Sequence, residues 1–134
     1  MAMQSRIIAL EARDTKAKEA AEDLRDRVIC VLHAEGRSQR SIAKLFDISR
    51  SAVRHVTAAR CVTVKVNDKD VVLPSTDVIA LDILHYAELS DSSIKENFVL
   101  QRDDTQKSYI IGHEEKVEAF AHMEFTAIDP LDNA

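Results

Sequence analysis

The chain is short of the residues that punctuate, staple and rigidify. Its 134 residues include two Gly, two Pro, two Cys and no Trp, and aromatics make up 4%. So few Gly exclude a glycine-rich loop cradling phosphates, which needs several positions where the backbone itself approaches the ligand. Two Cys exclude a disulfide framework. The first residues, MAMQSRIIALEARD, hold no signal-peptide core before their first acids, so a cytoplasmic chain with reduced thiols is expected. No apolar run approaches the roughly 18 residues of a membrane span, and no membrane partner is expected. Metal and catalytic chemistry are equally thin. His33, His55, His85, His113 and His122 are scattered, and His113-Glu114-Glu115 lacks a second His at zinc-site spacing. Cys30 and Cys61 stand 31 residues apart with no third or fourth soft ligand. The expectation is no enzyme, no catalytic residue, no cofactor and no metal.

What is present is charge, unevenly spread. The net charge of −5 argues against a nucleic-acid partner only when taken whole. Residues 1–60 hold 12 of the 18 Lys and Arg and 8 of the 23 Asp and Glu, a net of +4. Residues 61–134 carry −9. Length alone suits one domain, but this split predicts two modules with different partners, 1–60 and 61–134.

Residues 4–34 read as a helix, rich in Ala, Glu, Arg, Lys and Leu and free of Gly and Pro. Ile7, Leu10, Asp14, Ala17, Ala21, Leu24, Val28 and Val31 recur at alternating spacings of 3 and 4, a heptad seam. Asp14 is charged and Ala17 and Ala21 bury little. The same periodicity fits an amphipathic helix packing on its own domain or a coiled coil forming a homodimer. Gly36 suits the left-handed residue after the helix. Two short helical patterns follow, 38–46 and 50–59.

Gln39 to Thr57 carries the sharpest pattern. Two helices crossing at a tight turn need a small residue where they touch, here Ala43, and apolar residues around it, here Ile42, Phe46, Ile48, Val53 and Val56. Asp47 takes the turn position that favours positive φ, and Ser49 is placed to cap the next helix. These residues resemble the helix-turn-helix of resolvase- and invertase-type recombinases and of related transposase and regulator domains. The likeness spans about 28–58, with Arg27 to Glu35 as the supporting helix. No catalytic recombinase domain accompanies it, so the resemblance implies docking on DNA and not strand exchange.

Charge agrees: Arg37, Arg40, Lys44, Arg50, Arg54 and Arg60 face only Asp47 within 37–60. A recognition helix points its first residues at base edges, which makes Ser49, Arg50, Ser51 and Arg54 candidate base readers. Arg37, Arg40 and Lys44 are expected on phosphates, and His55 on either or on solvent. A helical hairpin with a solvated basic face, or a helix pair serving protein contacts, shares parts of the pattern.

The acidic half alternates. Val62, Val64 and Val66 form a strand, Asn67 to Asp70 a turn, and Val71-Val72-Leu73 a second strand stopped by Pro74. Residues 76–89 read as a helix capped by Ser75 or Thr76, with Val78, Leu81, Ile83, Leu84 and Ala87 on its apolar stripe. Strands follow at 98–100, 109–111 (ended by Gly112) and 120–127, giving β-β-α-β-β-β. The expected core is Val62, Val64, Val66, Val72, Leu81, Leu84, Val99, Ile110, Val117 and Phe125. Order and apolar spacing over 61–128, with Glu115 to Glu118 before the last strand, resemble the prokaryotic ubiquitin-like domains of the multiubiquitin type. That implies a β-grasp fold and partners of the E1-, E2- and JAB-peptidase-like kind. A generic β-grasp or another small α+β binding domain fits the same spacing. Conjugation needs a C-terminal Gly-Gly, and this chain ends in Asp129-Pro130-Leu131-Asp132-Asn133-Ala134.

The reading is therefore α+β: an all-helical helix-turn-helix domain followed by a ubiquitin-like β-grasp. The expected role is double-stranded DNA binding as a transcriptional regulator, of a bacterial or phage operon, with the acidic half as an interaction module. The alternative is a ubiquitin-like adaptor or non-conjugated modifier-like protein whose helices serve oligomerisation or docking.

Overall fold

The computed structural model describes the backbone of residues 2–131 and the side chains of residues 13–131. It is an α+β chain, helices first. Helix α1 (Ala2–Ala34), α2 (Gln39–Phe46) and α3 (Arg50–Arg60) precede strands β1 (Val62–Val66), β2 (Lys69–Leu73) and β3 (Asp77–Ile79). Helix α4 (Ala80–Ser90) follows, then β4 (Val99–Asp103), β5 (Ser108–Ile111), β6 (Lys116–Glu118) and β7 (Glu124–Ile128). The side chains of the seam residues Ile7 and Leu10, and the tail residues Asp132, Asn133 and Ala134, lie outside the described residues.

Gly36 ends α1 as its position suggests, at φ +95. The Gly36 N–H donates to the His33 carbonyl and the Arg37 N–H to the Leu32 carbonyl, both at 3.0 Å. These two bonds satisfy carbonyls the helix would otherwise leave open. Among the described side chains of α1, those that pack lie in its last third. Ile29 joins Ile42, Ala43 and Val53 in a small core, with Leu32, Phe46, Ile48 and Val56 against it. The heptad seam points elsewhere: Leu24 is 62% exposed and Val28 40%. Asp14, Ala17 and Ala21 are exposed too, and of the described seam residues only Val31 is partly buried, so from Asp14 to Val28 the seam does not pack within the described residues.

A five-stranded mixed sheet, ordered β2-β1-β7-β4-β5, forms the second half. Strands β1 and β7 run parallel, and the other neighbours antiparallel. The β1–β2 turn is tighter than expected. Asn67 and Asp68 alone make it, at φ 52 and 66, and Lys69 and Asp70 belong to β2. Asn and Asp tolerate that region, and two such residues match the twist of a hairpin.

Two elements depart from the sequence reading. The helix expected from residue 76 starts at Ala80, and neither Ser75 nor Thr76 caps it. Instead Asp77–Ile79 pairs with Lys116–Glu118, which places Val78 on a strand rather than on the helix. The Ile79 N–H donates to Asp82 Oδ2 at 3.0 Å, so the cap comes from inside the helix. The strand expected over 120–127 begins only at Glu124, because His122 takes φ +66 and breaks the alternation.

The core follows cross-strand register. Val62 faces Leu73 and Val64 faces Val71, so Val71 and Leu73 are buried and Val72 turns outward. Leu100 faces Ile111, and both are buried. Val99 is therefore only partly covered, and Ile110 is 58% exposed. One residue of phase exchanges the two faces of a strand. On α4, Ala80, Ile83, Leu84, Tyr86 and Ala87 are buried and Leu81 only partly. Val62, Val64, Val66, Leu84, Val117 and Phe125 are buried as expected.

The outer side of the sheet is tied by Asp103. Its carboxylate accepts from Thr126 Oγ1 at 2.6 Å, Gln101 Nε2 at 2.8 Å and Ser108 Oγ at 3.1 Å, linking β4, β5 and β7. Burial alone would raise this carboxyl's pKa, but the three hydrogen bonds outweigh it and the net direction is down.

One residue, Cys61, separates α3 from β1. Ala34 packs against the sheet core. Arg60 Nη2 reaches Asp23 Oδ1 at 2.9 Å and Asp26 Oδ2 at 3.7 Å. The helical and sheet units therefore share packing rather than hanging on a linker.

Candidate nucleic-acid interface

The helix pair is built by local chemistry. Ser38 Oγ accepts from the Ser41 N–H at 3.1 Å and starts α2. Asp47 takes left-handed geometry, φ 53 and ψ 50, and the Ile48 N–H closes back on the Ala43 carbonyl at 3.0 Å. Ser49 Oγ then accepts from the Ala52 N–H at 3.0 Å and starts α3. Ala43, 5% exposed, sits in the small core between the helices, where a larger side chain would hold them apart.

All eight candidate contact residues are exposed: Arg37, Arg40, Lys44, Ser49, Arg50, Ser51, Arg54 and His55. Arg37 lies between α1 and α2, Arg40 and Lys44 on α2, Ser49 at the cap, and the rest on α3. Val53 and Thr57 form the buried side of α3, so Arg50, Ser51, Arg54 and His55 share its open arc. Ala58, also exposed, continues that arc one turn beyond Arg54. Its methyl adds an apolar point to that otherwise polar arc, which a charge-based reading passes over. The i+4 spacing from Arg54 is the signal that finds it. The Ser49 oxygen is committed to capping, which leaves its O–H free to donate.

Electrostatics divides the basic residues into two groups. Near the joint they are neutralised. Arg60 and Arg27 both hold Asp23, each at 2.9 Å, and Arg25 holds Asp26 at 3.1 Å. The Arg60 hydrogen bond is the largest influence lowering the Asp23 pKa, and Arg60 in turn is held more firmly protonated. Arg60, counted with the basic cluster by sequence, is thus withdrawn from it. Arg37, Arg40, Lys44, Arg50 and Arg54 form no salt bridge or side-chain hydrogen bond among the described residues.

The free group is also arranged at a cost. Arg40 and Lys44, and Arg50 and Arg54, are like-charged pairs at i,i+4, each destabilising its helix by about 0.2–0.5 kcal/mol. Neither α2 nor α3 has an acid in its first turn, and Arg50 stands on the first residue of α3. A cation there opposes the positive end of the helix dipole, at about 0.3–1 kcal/mol in exposed positions. An anion at the start of α3 would relieve the conflict of Arg50 with the dipole.

Two of the other histidines have local partners. His113 Nε2 donates to the Phe98 carbonyl at 2.7 Å, and His85 Nδ1 donates to Glu96 Oε1 at 2.9 Å. Among the described residues there is no cluster of three or more metal-ligating side chains, and no helix is long and apolar enough to cross a membrane. No family model, curated protein or solved structure matches the chain.

Proposed function

We propose that the chain binds double-stranded DNA through α2 and α3 as a homodimer and regulates transcription, with the sheet unit as a ubiquitin-like interaction module for a protein partner. The observation carrying this reading is the unpaired, self-repelling basic face of Arg37, Arg40, Lys44, Arg50 and Arg54, beside a second group of arginines neutralised by Asp23 and Asp26. A merely solvated face gains nothing from like charges at i,i+4, whereas a phosphate backbone does.

In this reading α3 enters the major groove with Arg50, Ser51 and Arg54 toward base edges, and Arg37, Arg40 and Lys44 hold phosphates. One such module touches a short site, so specificity calls for two. The exposed seam of Leu24 and Val28 is where a second copy pairs. The strand order supports the second half of the reading. With the short β3 and β6 set aside, the five remaining strands run second, first, fifth, third, fourth, with α4 between the second and third. The proposal takes this order as that of a β-grasp.

The test is a fluorescence-anisotropy titration of the full chain against duplex DNA from its own upstream region, repeated across salt. The expected result is two chains per site and a log–log salt slope of about −3 per subunit, from three to four phosphate contacts each. Affinity that does not respond to salt, or no binding at low salt, contradicts the reading.

A further inference from the structure

The sheet has two outer edges, β2 and β5, and they are finished differently. A free edge presents unpaired N–H and C=O groups to any passing strand, and folded chains blunt it with charge, Pro, bulges or a covering element. β2 is blunted. Helix α1 lies against it, and it opens on Lys69 and Asp70, paired with Asp91 at 3.0 Å and with Lys65 at 3.2 Å. β5 reads Ser108-Tyr109-Ile110-Ile111, with no charge, no Pro and an unbroken register against β4. No element lies along its outer side among the described residues.

The hairpin decides which backbone groups of β5 point outward. The Asp104 N–H donates to the Lys107 carbonyl at 3.2 Å, and hydrogen-bonded pairs alternate along an antiparallel ladder from there. Arg102 with Tyr109, then Leu100 with Ile111, exchange bonds between β4 and β5. Ser108 and Ile110 therefore turn their N–H and C=O groups away from β4, to the open side. The Ile110 side chain is itself 58% exposed. On the other face of the strand, Arg102 lies between two exposed rings, its guanidinium carbon 5.6 Å from the Tyr109 centroid and 5.8 Å from that of Phe120. Aromatic residues and Arg are the types enriched where proteins meet.

We infer that the open edge of β5 takes up an extended, basic-ended segment of a partner protein, which joins the sheet as a sixth strand. Backbone bonds to Ser108 and Ile110 supply affinity, and side chains alternating to the two faces cover Ile110 and Tyr109. Charge selects this occupant. Asp103 and Asp104 precede β5 and Glu114 and Glu115 follow it, four acids against Lys107 alone, so residues 103–115 carry −3. Asp104, Glu114 and Glu115 are exposed and form no salt bridge among the described residues. A second copy of β5 would bring these acids onto themselves, whereas Lys or Arg at both ends of an incoming strand meets them. The inference rests on the reading of the sheet unit as a protein-interaction module, and it does not depend on DNA binding.

The test adds a synthetic peptide, with an Ile-Thr-Ile-Thr-Ile centre and Lys-Arg at each end, to the full chain labelled with nitrogen-15, and follows amide exchange residue by residue. The expected result is exchange slowed by about tenfold or more at Ser108 and Ile110, with Tyr109 and Ile111, already bonded to β4, changing less. The same peptide ended in Glu should bind about tenfold more weakly at low salt. Ile110→Pro removes one outward N–H and leaves the bonds to β4, so it should weaken binding by about tenfold or more. Should that variant fail to fold, Ile110→Lys replaces it, with the same loss from a charge on the edge. No slowing at about millimolar peptide, equal binding of the Glu-ended peptide, or binding that the Ile110 variant leaves intact would each overturn the inference. So would protection of the same two amides by raised protein concentration without peptide, which would give the edge to a second copy. Slowed exchange on another strand would overturn the β5 site and leave the interaction-module reading standing.

Discussion

Replacing Arg50 and Arg54 together by alanine is expected to weaken specific DNA binding by about 2–6 kcal/mol, a loss of roughly thirty-fold to more than ten-thousand-fold. Each arginine can fork onto a guanine edge, a contact worth about 1–3 kcal/mol of discrimination. Both side chains are exposed and neither has a hydrogen-bond or ion-pair partner among the described residues, so the fold should not suffer. Removing the Arg50 charge from the first residue of α3 should even favour that helix slightly, because it ends the conflict with the dipole. A stability change within about 0.5 kcal/mol beside a large loss of affinity therefore separates contact from structure. Arg40→Ala and Lys44→Ala are expected to differ in kind, weakening all sequences alike and reducing the salt slope by about one each. Competition with random duplex distinguishes the two patterns. If the Arg50 and Arg54 double variant binds its site as the wild type does, α3 is not the reading helix.

Phe125→Ala is expected to cost about 3–5 kcal/mol, a large fraction of the roughly 5–15 kcal/mol by which such proteins are stable. Phe125 is the largest fully buried side chain and lies on β7, the strand between β1 and β4. It pairs with Val66 on one side and Arg102 on the other, so the cavity would open in the middle of the sheet. The effect should reach the helical unit. That unit's own core is only Ile29, Ile42, Ala43 and Val53, and it leans on the sheet through Ala34. Two spectroscopic signals report the two halves separately. Both tyrosines, Tyr86 and Tyr109, belong to the sheet unit, whereas most helical residues lie in α1, α2 and α3. Urea melts followed by tyrosine fluorescence and by far-ultraviolet ellipticity should coincide, and should shift together in the variant. Helical signal persisting after the tyrosine transition would mean that the two units fold independently.

Local chemistry was legible in the sequence, and long-range pairing was not. Gly36, Asp47 and Ser49 act on neighbours within a few residues, so their roles follow from residue type and position alone. Ala43 and its apolar neighbours follow from spacing. The phase of β2, β4 and β5 was not readable, because Val71-Val72-Leu73, Val99-Leu100 and Tyr109-Ile110-Ile111 are continuous apolar runs that conceal a period of two. Register against Val62, Val64 and Leu100 decides which of those residues turn inward. The three-residue β3 exists only through Lys116–Glu118, so helical spacing claimed its residues. Arg60 looked like part of the basic cluster until the Asp23 and Asp26 carboxylates reached it, the first across 37 residues. The basic face itself was visible as charge, but its freedom from internal partners is a property of the fold.

The most direct test of the account maps amide chemical shifts of the full chain as duplex DNA is added. The largest and earliest changes should fall between Arg37 and Ala58, along the starts of α2 and α3, with the outer strands β2 and β5 little affected. Changes centred on the sheet unit, or none at DNA concentrations that saturate binding by anisotropy, would contradict the assignment of the α2–α3 face as the DNA-binding surface.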